Sequence, residues 1–166
     1  MARPDASVSL SALARLGFAE LSEAAASLAE LESLLDVPRT MLLEASVAAD
    51  PDAAVRGMLR VARRDPSPLR ALVTDEETRQ RVWRVFGASV GLAEFFLRHP
   101  EELDVLAAPV DALPAADVWR DRLLAAVGAE DGFADSAEDE TIVALRVAYR
   151  RNLAELAAID LGPPRP

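Results

Sequence analysis

Asp50-Pro51, Asp65-Pro66 and His99-Pro100 each place a residue able to cap a helix directly before proline. Proline lacks an N–H, and its fixed φ suits the first helical position, where that N–H would go unpaired anyway. A capping side chain in front of it completes a start signal. Between these signals run Leu, Ala, Val and Arg at three- and four-residue spacing, and no segment alternates with period two. The chain is therefore expected to be all-α, a bundle or array of about seven to nine helices without a sheet.

The same logic places the elements. Residues 1–7 read as a loose tail. Ser9 is positioned to cap a short helix over 10–16 that Gly17 closes. Leu21, Ala24, Leu28, Leu31 and Leu35 define an amphipathic helix ended by Asp36-Val37-Pro38, and Met41, Leu42, Ala45 and Ala49 continue as a new one. Further helices are expected near 51–64, 66–73 and 76–98, the last with Val82, Val85, Phe86, Ser89, Ala93 and Phe96 in one stripe. A short helical turn over 100–107 and a less ordered stretch over 108–114 lead to a helix near 115–127, ended by Gly128. After an acidic loop over 129–135, Ser136 and Asp139 approximate a capping box for the final helix, where Ile142, Leu145, Tyr149, Leu153 and Leu156 form a heptad-like stripe.

Composition excludes several classes of function. There is no Cys, hence no disulfide, thiol nucleophile or thiolate metal site, and no stretch of about 18 uncharged apolar residues that would span a membrane. The start has no apolar run suited to a signal peptide, so the chain is expected to be soluble and cytoplasmic. The net charge of −10 argues against nucleic acid and anionic membranes as partners. All 18 basic residues are Arg, and residues 56–84 hold eight of them against four acids, a local charge of about +4. That stretch reads either as a solvated Arg-rich face or as a docking surface.

Residues able to carry chemistry are sparse. His99 is the lone histidine, so a two-histidine metal site cannot form, and its place before Pro100 suits capping or packing. Glu138-Asp139-Glu140 falls in a first helical turn, where acids complement the helix dipole. The small-residue run Gly87-Ala88-Ser89-Val90-Gly91 suits close approach of a neighbouring element, and Trp83 and Trp119 fall at packing positions. No catalytic, cofactor-binding or metal-binding residue is assigned. Arg146, Arg150 and Arg151 share one side of the last helix, either solvated, with Arg151 and Glu155 as a weak pair, or in contact with something outside the chain.

Two stretches carry a family likeness. Residues 144–161, ending in Gly162-Pro163-Pro164-Arg165-Pro166, resemble the helix that leads into the first catalytic domain of bifunctional glutamine synthetase adenylyltransferase/adenylyl-removing enzymes, of the actinobacterial type. At a comparable distance upstream, Gly87-Ala88-Ser89 precedes Arg98-His99-Pro100-Glu101, as a similar segment does in that family, and an Asp50-Pro51-Asp52-Ala53 turn adds to the match. The family's active site has a Gly-Ser turn followed by an Asp-x-Asp pair holding metal ions, and neither motif occurs here.

The resemblance implies a division of the chain into a tail over 1–7, one helical domain over 8–161 that precedes an absent nucleotidyltransferase core, and a proline-rich end over 162–166. It implies a non-catalytic amino-terminal scaffold of an enzyme that adenylylates and deadenylylates glutamine synthetase in nitrogen regulation. Magnesium and ATP would belong to the full-length enzyme rather than to this segment. Partners would be the rest of the parent chain, with glutamine synthetase and a PII-type regulator behind it. The competing expectation is a free-standing helical adaptor that uses the Arg56–Arg84 surface. A small enzyme is disfavoured, because one His and no Cys leave little chemistry to work with.

Overall fold

The computed structural model describes residues 8–107, 112–134, 136 and 138–162. Among them are nine α-helices: α1 (Leu10–Arg15), α2 (Leu21–Leu35), α3 (Arg39–Leu42), α4 (Pro51–Arg64), α5 (Ser67–Leu72), α6 (Glu76–Ala88), α7 (Val90–Arg98), α8 (Ala116–Ala126) and α9 (Asp139–Asp160). Two 3-10 helices, Leu43–Val47 and Pro100–Leu106, join them, and no strand occurs among the described residues. The fold is all-α. Residues 1–7, 108–111 and 163–166 lie outside the described residues, so the tail, most of the stretch over 108–114 and the proline-rich end have no structural counterpart here.

Capping residues set the helix starts. Ser9 Oγ accepts the Ala12 N–H at 3.2 Å, and Asp50 Oδ1 accepts that of Ala53 at 2.8 Å, with Pro51 in the first turn. Asp65 accepts the N–H of Ser67 at 2.9 Å just before α5. His99 departs from the pattern and makes no side-chain cap. Gly17 (φ +91°) and Gly128 (φ +58°) close α1 and α8 in the left-handed region that favours glycine.

α4 is the central helix, packed against α2, α6 and α7. Its Ala54, Val55, Met58, Val61 and Ala62 are buried, and Gly57 admits the Phe86 ring, whose Cδ1 would lie 2.9 Å from any added Cβ. Trp83, Phe86 and Phe96 are fully buried, and the last two stack with centroids 5.7 Å apart. Asp52, buried in the first turn of α4, accepts the backbone N–H groups of Ala19 (2.8 Å) and Glu20 (3.3 Å), which ties the start of α2 to α4.

Four local expectations are corrected. The helix near 76–98 is two helices, broken at Ser89, whose extended backbone (φ −146°) ends α6 and whose Oγ caps α7 through the Leu92 N–H at 3.2 Å. The break follows from packing: at Gly87 a Cβ would meet Ala48 Cβ at 2.5 Å and the Asp50 carbonyl at 2.7 Å. The helix after Pro38 is only α3 and tightens into 3-10 geometry, whose period of three matches the buried pair Leu42 and Ala45; Ala49 lies beyond it. The capping box before α9 does not form, because Glu138 holds the cap position while Ser136 Oγ takes the Glu138 N–H at 3.3 Å and pairs with Thr141.

The fourth correction concerns the α9 stripe. Its buried residues are Asn152, Ala154 and Ala158, whereas Ile142, Leu145 and Tyr149 are 40–53% exposed and Leu153 and Leu156 half-buried. Small side chains let α9 lie close to α6 and α8, so the large apolar ones face away.

Candidate functional site

Most Arg residues of the Arg-rich stretch bond to other parts of the chain, two of them from buried positions. Arg79 is buried, bonded to Glu44 (2.8 and 2.9 Å) and the Val73 carbonyl (2.8 Å). Hydrogen bonding to Glu44 raises the affinity of its guanidinium for its proton. Arg81, also buried, donates to the Leu106 carbonyl (2.7 Å) and to Glu77 (2.8 Å). Arg64 and Arg70 donate to the carbonyls of Leu97 and Leu34, while Arg60 pairs with Glu94 and Arg63 with Glu30. The Glu30 and Glu94 carboxyls are held below the usual carboxylate range by these Arg hydrogen bonds. Most of these Arg residues thus have partners within the chain, although Arg56, Arg60, Arg63, Arg64 and Arg70 stay exposed at the surface.

The three Arg residues singled out on the last helix do different things. Arg151 leaves the set: it grips Asp104 (2.5 and 3.1 Å) and Glu102 (2.7 Å), pinning α9 to the 3-10 helix before it. Its proton is held above the ordinary guanidinium range, chiefly by the hydrogen bond to Asp104. Glu155 does not pair with Arg151 but with Arg122 of α8. Arg146 and Arg150 are exposed and have no ion-pair partner among the described residues.

With Arg98, these two line a cleft of about 590 Å³ between α7 and the first half of α9. Phe95, His99, Val143 and Tyr149 contribute to its walls, and the Arg150 guanidinium lies beside Gly91, 3.7 Å from where a Cβ would stand. His99 packs on Phe95 (centroids 5.3 Å apart), with Nδ1 3.3 Å from a Glu101 oxygen. The contribution of Arg98 was not foreseen; its position at the end of a helix, just before His99-Pro100, was the available signal.

The cleft can hold anions and apolar side chains, but it assembles no nucleophile with a base. Among the described residues no three His, Asp or Glu side chains come together as metal ligands, and no helix is long and apolar enough to cross a membrane. Glu138, Asp139 and Glu140 are exposed at the start of α9. Trp83 is fully buried and Trp119 half-buried, so both are packing residues.

Comparison with known proteins finds relatives that share one name. The protein from Leifsonia xyli subsp. xyli, named bifunctional glutamine synthetase adenylyltransferase/adenylyl-removing enzyme, is 49% identical over 160 residues. The match takes in 96% of this chain and 16% of that protein. The chain is a homologue of one segment of these enzymes. Identically named proteins from Streptomyces avermitilis (36% over 168 residues, 93% of this chain) and Mycolicibacterium smegmatis (33% over 126 residues, 74%) agree. The chain spans only 12–16% of the length of these relatives. No family model and no solved structure matches it.

Proposed function

We propose that this chain is a non-catalytic helical scaffold, amino-terminal in an enzyme that adenylylates and deadenylylates glutamine synthetase in nitrogen regulation. One observation carries the reading: 96% of the chain aligns with the Leifsonia protein at 49% identity while covering 16% of it. A match so complete on one side and so partial on the other is what a segment of a long enzyme gives. In that parent, ATP and magnesium serve a nucleotidyltransferase core located elsewhere, in the cytoplasm, under control of a PII-type regulator. Within this segment, Arg146 and Arg150 face the rest of the parent chain, and Arg151 braces the helix that presents them.

The free-standing adaptor reading would use the exposed Arg residues over 56–84, most of which bond within the chain. The test is direct. The purified chain, given ATP and magnesium, neither binds nor consumes the nucleotide and releases no AMP from modified glutamine synthetase. Measurable AMP release by the chain alone overturns the assignment.

A further inference from the structure

The first half of α9 keeps large apolar side chains at its surface: Ile142, Val143, Leu145 and Tyr149 are 40–53% exposed there. Soluble proteins rarely leave so much clustered apolar surface to water without a use for it. Two of these side chains, Val143 and Tyr149, line the cleft together with three guanidinium groups, Arg98, Arg146 and Arg150. Glu94, the acid in the cleft wall, is bound by Arg60 as well as lying 3.8 Å from Arg98.

This combination selects the occupant. A free small anion would satisfy the guanidinium groups but leave the apolar wall of Val143 and Tyr149 in water. A second copy of this chain, docked by two-fold symmetry about this face, would set the Arg cluster against itself and bring together two bodies of net charge −10. An acidic amphipathic helix meets both demands. Arg146 and Arg150 stand one helical turn apart, so two carboxylates similarly spaced on a facing helix match them, flanked by apolar residues against Val143 and Tyr149.

We propose that the cleft between α7 and the first half of α9 seats an acidic amphipathic helix, supplied by the part of the longer polypeptide that lies outside the matched span. Arg98, Arg146 and Arg150 receive its carboxylates, and Val143 and Tyr149 its apolar stripe. This rests on the proposed parent enzyme, and it goes further in assigning the chemistry of the contact and in excluding Arg151, whose donors are already taken.

The test uses a chimera in which this chain replaces the matching segment of the Leifsonia xyli enzyme. Hydroxyl-radical labelling of Tyr149 is compared with that in the isolated chain. The expected result is a drop of about fivefold in the chimera, as a half-exposed ring passes into a packed interface. Arg146→Glu with Arg150→Glu restores the labelling, whereas Arg120→Glu, a charge reversal on exposed α8, leaves the protection in place. Equal labelling in an active chimera overturns the docking inference and leaves the parent enzyme standing. Protection that persists through the double reversal also overturns it. Protection already present in the isolated chain, rising with its concentration as the mass doubles, makes a second copy the occupant and overturns it as well. A chimera that protects Tyr149 but transfers no AMP supports the docking while failing the proposed function.

Discussion

The segment from α1 through the 3-10 helix Pro100–Leu106 and the pair formed by α8 and α9 handle their apolar residues in opposite ways. The first buries them against one another: apart from Ala154 and Ala158, every buried apolar residue of the core lies between Leu13 and Leu106. In the second, α8 buries no residue, and α9 buries only one polar and two small side chains while its large ones face out. Both segments carry helical apolar stripes. Periodicity announces that a face exists, and only the fold says whether the chain itself covers it.

The sharpest way to break this contrast is to truncate a ring in each region. Phe86→Ala removes a fully buried, stacked ring and is expected to cost about 3–5 kcal/mol in urea denaturation. A loss below about 1 kcal/mol would mean that the first segment is not the tightly packed body described.

Next comes Arg79→Ala, which strands the Glu44 carboxylate and the Val73 carbonyl, for an expected loss of about 2–4 kcal/mol. The two glycines flanking the α6–α7 break are expected to differ in sign. Gly87→Ala meets Ala48 and the Asp50 backbone and should destabilise by about 1–3 kcal/mol. Gly91→Ala meets nothing nearer than 3.7 Å in a helical first turn and should stabilise by about 0.5 kcal/mol. Equal shifts in melting temperature for the pair would refute the close approach at Gly87.

Acid should loosen the body through identifiable groups. Hydrogen bonds from Thr78 and Ser67, chiefly from their backbone N–H groups, hold the Asp75 and Asp65 carboxyls below their usual range, and Arg63 and Arg60 do the same for Glu30 and Glu94. A carboxyl whose folded pKa is depressed adds stability above its unfolded value, and that stability is lost as pH falls through the folded one. Melting temperature should therefore hold from pH 7 down to about 5 and decline below about 4. Asp75→Asn should make that decline shallower, and an unchanged slope would remove Asp75 from the account. The smallest effect belongs to the exposed face: Tyr149→Ala in the isolated chain should change stability by less than about 0.5 kcal/mol.

Much of the body was legible because its signals are local. Ser9, Asp50 and Gly17 perform the capping and closing expected of them, and the Leu21–Leu35 periodicity maps onto a helix with Leu28 and Leu31 fully buried. What was not legible depends on partners distant in sequence. Ser89 breaks a continuous helical pattern because Gly87 is pressed against the 48–50 turn. Arg60, Arg63, Arg64, Arg70 and Arg79 bond to acids and carbonyls some 33–36 residues away, a pairing that no window of sequence displays. The cleft joins Arg98 to Arg146 across nearly fifty residues for the same reason. Stripe position on α9 failed because small residues, with no periodic weight of their own, won the packed side.

The central claim is that the body is self-sufficient while the first half of α9 awaits a cover from a longer polypeptide. Amide hydrogen exchange measured on the isolated chain and on the same residues within the Leifsonia chimera tests it most directly. The account predicts equal, strong protection of 76–98 in both, and protection of 139–150 that is weak in the isolated chain and strong in the chimera. Residues 139–150 exchanging at the same rate in both would contradict it.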